Sequence, residues 1–227
     1  MAEHLALSIT GFDGEAVPNQ FLKQTGEANG LAILLPGLGY TCDMPLFYYS
    51  ELQFLVGGYN VLRVDYDYCR IDFQPWANPN HRRRLVEDVA AAVQAGIAQQ
   101  SSSNVAVVGK SLGTLAMAHL ANTGALLPSW RTVWLTPLLK QDAVFDALVK
   151  VTGPTVIVIG SDDYHYDEVR LESLEARDNV TLITVAGGNH SLNTVTSAGE
   201  SALALATIIG QLDAFYDFPA RKAGEMD

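Results

Sequence analysis

Near the middle of the chain, Gly109-Lys110-Ser111-Leu112-Gly113 sets a hydroxyl between two glycines, where the apolar run 104–108 gives way to helical spacing as far as Leu120. A serine hydroxyl is a poor nucleophile at neutral pH. It needs an imidazole to take its proton and a carboxylate to orient that imidazole and stabilise its cation. Both occur downstream. Asp162 and Asp163 follow the apolar run 155–159, and His190 follows the run 180–185. Ser, Asp and His therefore come in that order, each after its own predicted strand. The glycines fit the same reading, because a turn tight enough to lift Ser111 above a sheet leaves no room for side chains two residues to either side. A chain of this length holds the five-residue pattern by chance about one time in ten, so its surroundings must carry the claim.

Those surroundings are an alternation of strand and helix. Residues 4–10 read as a strand, 12–15 as a turn and 19–24 as an antiparallel return. From residue 31 the chain alternates: strands at 31–35, 59–64, 104–108, 131–135, 155–159 and 180–185, with helices at 44–54, 81–100, 141–150, 166–177 and 192–216 and another after the Ser111 turn. Continuous apolar strands separated by helices predict a mostly parallel sheet covered on both faces. In such a sheet, ligands bind outside the carboxyl ends of the strands. Ser111, the two aspartates, His190 and a glycine-rich loop at 36–40 all lie at such ends.

Bulk properties narrow the classes. The 227 residues, 48% hydrophobic and 17% charged, suit a single compact domain over 1–227. A net charge of −11 argues against a nucleic-acid partner. Arg82, Arg83 and Arg84 form the one basic run and read as a solvated helix start. The two cysteines, Cys42 and Cys69, make no disulfide framework, and no basic segment with an apolar signal core opens the sequence, so a cytoplasmic location with free thiols is expected. Neither thiol sits at a turn that would activate it. The apolar stretch 201–210 is too short to span a bilayer, so no membrane partner is expected. No His, Cys or carboxylate pair has metal-ligand spacing, and no metal or cofactor is implied. Pro36-Gly37-Leu38-Gly39-Tyr40-Thr41 lacks the third glycine of a dinucleotide-binding turn.

With these motifs in place, the chain resembles the α/β-hydrolase family over nearly its whole length. Val107-Val108-Gly109-Lys110-Ser111-Leu112-Gly113 matches that family's nucleophile elbow, Ile159-Gly160-Ser161-Asp162-Asp163 its acid turn, and Gly187-Gly188-Asn189-His190-Ser191-Leu192 its histidine loop. The resemblance implies a catalytic triad of Ser111, Asp163 and His190. Asp162 is the alternative acid and Asp167 a more distant one. It also implies an oxyanion hole made by the backbone amide of Leu112, at a helix start where free amides and the dipole favour an anion, and by that of Leu38. Many relatives read His-Gly-x where this chain reads Pro36-Gly37-Leu38, so Gly39 or Tyr40 could supply the second amide. Gly37, Gly39 and Tyr40 are assigned to substrate binding.

Fewer than twenty residues separate the strands at 131–135 and 155–159, enough for one helix and no lid. The expected site is open, shaped by 40–49 and by a loop at 65–80 carrying Tyr66, Tyr68, Phe73 and Trp76. It would suit small carboxylic esters or thioesters. Two other readings share the fold: a catalytically silent small-molecule-binding homologue and a non-hydrolytic lyase. Each motif also has a plainer use. The glycines could allow close helix packing, the aspartates could cap a helix, and His190 could be a surface residue. His165 could line the site, whereas His4, His81 and His119 read as structural. Lys110 is expected to point into solvent, and residues 221–227 form an acidic tail read as frayed.

Overall fold

The computed structural model describes residues 2–66, 68, 72–75, 77–100 and 102–218. Trp76, Cys69 and the 221–227 tail lie outside the described residues. An eight-stranded sheet runs in the order β1 (Ala2–Leu5), β2 (Asn19–Gln24), β4 (Tyr59–Val64), β3 (Gly30–Leu35), β5 (Val105–Lys110), β6 (Arg131–Leu135), β7 (Thr155–Gly160) and β8 (Val180–Val185). The pairs β1–β2 and β2–β4 are antiparallel, and every later pair is parallel.

The residues of β3, β5 and β7 are buried throughout, as apolar runs covered on both faces must be. Their parity assigns each side chain to a layer. Leu31, Ile33, Leu35, Val105, Val107, Ile157 and Ile159 pack with α2 (Pro79–Ile97), α3 (Leu112–Asn122), α4 (Asp142–Lys150) and α5 (Glu168–Glu175). Ala32, Leu34, Ala106, Val108, Val156 and Val158 pack with α1 (Pro45–Val56) and α6 (Ala198–Tyr216) on the opposite face. The even-numbered end of β5 therefore points toward the α1 and α6 layer. α4 is the one helix between β6 and β7, so no lid covers the strand ends there.

β1 and the last helix are among the elements shorter than the sequence suggests. β1 stops at Leu5 because the Asn19 carboxamide accepts the Leu7 N–H and donates to the Leu7 carbonyl, both at 2.9 Å, in place of ladder bonds. The last helix begins at Ala198 rather than 192. Ser197 caps it by accepting the Glu200 N–H at 3.1 Å, and the preceding residues are held in a loop by the Gly188–Thr194 bridge.

Candidate active site

At the carboxyl end of β5 the chain makes the turn its glycines permit. Ser111 has φ 49° and ψ −110°, a left-handed, strained conformation for a residue with a side chain. The Ser111 N–H donates to the Leu135 carbonyl at 3.0 Å, and its own carbonyl accepts from Thr114 Oγ1 at 2.6 Å. Gly113 must be glycine because a Cβ there would stand 2.0 Å from the Leu35 carbonyl oxygen of β3. This closeness seats the start of α3 directly on the sheet, with the hydroxyl above it.

The acid and the histidine come from two turns locked to each other. At Gly160 a Cβ would meet the Gly188 carbonyl oxygen at 1.9 Å. The Asp162 N–H donates to that same oxygen at 3.0 Å, and the Gly187 N–H donates to Ser161 Oγ at 2.8 Å. The histidine loop is further tightened by Asn189 Oδ1, which accepts the amides of Ser191 and Asn193.

These turns bring three predicted residues into one line. His190 Nε2 lies 2.8 Å from Ser111 Oγ, and His190 Nδ1 lies 2.8 Å from Asp163 Oδ2. Asp163, 4% exposed, receives the His165 amide on its other oxygen at 2.8 Å. Burial pushes its carboxyl pKa up, but the hydrogen bonds from His190 and the His165 amide outweigh this and hold it below the ordinary value. It is therefore a carboxylate at neutral pH. Asp163 Oδ2 then selects the tautomer with the proton on Nδ1, leaving Nε2 free to accept the Ser111 proton. The other two aspartates do different work. Asp162 accepts from Ser161 Oγ, and Asp167 caps α5 through the Arg170 amide.

The cavity holding Ser111 measures about 430 Å³. It is lined by Leu38, Leu112, Leu138, Gln141, Tyr164 and His165 together with Ser111 and His190. Leu112 is the first residue of α3, where backbone amides have no intrahelical acceptor. Leu38 reaches the cavity from the loop after β3, whose turn is closed by the Gly37 N–H donating to the Tyr40 carbonyl at 3.1 Å.

Gly37 stands against the nucleophile, where a Cβ would meet Ser111 Cβ at 3.3 Å. Leu38 lines both the Ser111 cavity and the one beside it. Gly37 and Gly39 line that neighbouring cavity with Tyr66 and Tyr68, while Tyr40 lines another beside α6. Among the described residues, the walls expected from 40–49 and 65–80 are replaced by Leu138 and Gln141 after β6 and by Tyr164 and His165 after β7. Tyr66 instead donates to the Pro36 carbonyl at 2.5 Å, supporting the loop after β3 from behind. It stacks on Tyr68 and, through it, Phe73. His165 does line the site, and burial lowers its imidazole pKa.

Lys110 overturns its expectation. It is 1% exposed, facing the α1 and α6 side as the parity of β5 requires. Its Nζ donates to Thr136 Oγ1 at 2.6 Å and to the His190 carbonyl at 2.7 Å, and it lies 4.7 Å from the Tyr40 ring centre. Burial holds its ammonium down to about 7, against the opposing attraction of Asp163. The apolar run read from the sequence ends at 108, whereas β5 continues to Lys110 as its sixth residue, and this extension carries the side chain into the interior.

The sequence model of the alpha/beta hydrolase domain family matches residues 30–216. No curated protein matches the sequence significantly. Among solved structures, an esterase of Pyrococcus furiosus superposes with a TM-score of 0.70 at 15% identity, covering 95% of this chain and 92% of its own. A Xanthomonas campestris protein described as an α/β serine hydrolase without lid gives 0.67 at 16% identity, with 97% of each chain covered. Est1E from Butyrivibrio proteoclasticus gives 0.65 at 15%, with 95% and 99% covered.

Proposed function

The chain belongs to the α/β-hydrolase family, and from that premise we propose that it is a serine esterase acting on small carboxylic esters or thioesters through an acyl-enzyme. The observation that carries this reading is the His190 imidazole, which bridges Ser111 Oγ and Asp163 Oδ2 at 2.8 Å on each side.

The chemistry follows from those contacts. Nε2 takes the hydroxyl proton as Ser111 Oγ attacks the acyl carbon, and Asp163 stabilises the imidazolium that results. Negative charge moves to the carbonyl oxygen, where the amides of Leu112 and Leu38 receive it. The imidazolium then protonates the leaving alcohol or thiol. Water repeats the cycle with His190 as base and releases the acid. The uncapped cavity favours short acyl groups: its walls are the apolar side chains of Leu38, Leu112 and Leu138 and the uncharged polar groups of Gln141 and Tyr164.

Hydrolysis of a panel of short-acyl p-nitrophenyl esters, compared between wild type and Ser111→Ala, tests the reading. The variant is expected to lose at least about 10³-fold in kcat, and a fluorophosphonate probe should label only the wild type. Equal rates in the two proteins refute the reading. Absence of both turnover and labelling points instead to a silent binding protein.

A further inference from the structure

The lysine beside the nucleophile has no part in the chemistry above, yet it touches three of the loops that perform it. Lys110 Nζ reaches Thr136, directly after β6 and at φ 41°, the main chain of His190 itself, and the face of Tyr40 in the loop after β3. An ammonium carries three N–H donors. Here a hydroxyl oxygen, a carbonyl oxygen and an aromatic face stand opposite them. A neutral amine has two N–H donors and a lone pair, so it cannot engage all three partners as donor.

We infer that Lys110 is a positioning residue whose ammonium fastens the backbone of His190 and the loop that carries Leu38 to the nucleophile strand. The inference rests on the esterase reading of the same site. The side chain is sealed from solvent and adjoins Ser111 in sequence, so it is a tie and not a substrate contact. The charged and titratable groups around it are Asp163 from the turn after β7, Tyr40 from the loop after β3 and the His190 imidazole, with His165 and Tyr164 beyond. Burial raises the Tyr40 and Tyr164 hydroxyls above their ordinary range and lowers His165. Loss of a proton from Lys110 leaves one of the three partners without a donor and so slackens the tie.

The test is kcat and KM on a short-acyl ester across pH for wild type, Lys110→Met, Thr136→Val and Ser111→Ala. In wild type kcat is expected to decline on the alkaline side. In Lys110→Met it should fall about 10–100-fold at neutral pH, the scale of a misplaced catalytic group, with KM within about twofold and no alkaline decline. Thr136→Val removes one acceptor of the ammonium but keeps the side-chain shape, so its alkaline decline should begin at lower pH. Wild-type turnover no faster than Ser111→Ala refutes the esterase reading. Ser111-dependent turnover that Lys110→Met keeps in full, with the same alkaline limb, overturns the positioning role alone. Should Lys110→Met fail to fold, an alkaline limb in Thr136→Val identical to that of wild type overturns it.

Discussion

Replacing Lys110 by methionine removes a buried charge while nearly preserving side-chain length, and its effect on stability can be worked out from the structure. The folded protein releases the Lys110 proton at about 7, whereas a solvated lysine keeps its proton up to 10.5. Between these values the unfolded chain binds more protons than the folded one, so stability rises with pH. Each unit of displacement is worth about 1.4 kcal/mol. From about pH 6 to about pH 9 the lysine should therefore add about 2–3 kcal/mol to wild-type stability. Lys110→Met lacks this gain. Its absolute stability combines relief from burying an ammonium with about 1–3 kcal/mol lost for each polar group left without its partner, here the His190 carbonyl and the Thr136 hydroxyl. The slope against pH is free of that offset. Urea unfolding of both proteins at the two pH values, followed through the buried Trp130 and Trp134, measures it. Titrating groups remote from Lys110 contribute equally to both proteins, and Asp163, held below its ordinary value, stays ionised at both pH values. Parallel stability profiles for wild type and variant would refute the assignment of a strained, buried ammonium.

Asp163→Asn keeps the shape of the acid turn but loses the carboxylate that selects the His190 tautomer. Ester turnover should drop by about 10³–10⁴-fold in steady-state assays with little change in melting temperature. Asp162→Asn should leave kcat within about twofold, and Asp167→Ala should cost about 1 kcal/mol through the lost α5 cap, with kcat nearly intact. A large kcat loss in either would move the acid away from Asp163. Gly113→Ala forces its Cβ into the main chain of β3 and should destabilise by about 3 kcal/mol or more, read as a melting temperature lowered by roughly 6 °C or more. An unchanged melting temperature would show that the elbow can relax.

Local pattern along the chain makes much of this protein legible. The buried apolar runs of β3, β5 and β7 and the helical spacing between them specify a covered parallel sheet, because no other arrangement hides such strands on both faces. Turn chemistry at Gly109 and Gly113 marks where the chain must turn too tightly for side chains. Strand order then sets Ser111, Asp163 and His190 at one end of the sheet.

Tertiary structure decided what depends on side chains meeting across elements. The resemblance pointed to Asp163 with Asp162 as the alternative, and the clamp between the Gly160 turn and Gly188 is what aims the first carboxylate at the imidazole while the second accepts from Ser161. The cavity walls come from Leu138, Gln141, Tyr164 and His165, residues without a motif of their own. The fate of Lys110 is the clearest case. Residue type argued for solvent, since lysine is seldom buried, and the apolar run ended at Val108. The interior prevailed because Thr136, the His190 carbonyl and the Tyr40 ring, from three separate loops, converge on one ammonium. Such convergence is a property of packing, which spacing along the chain does not encode.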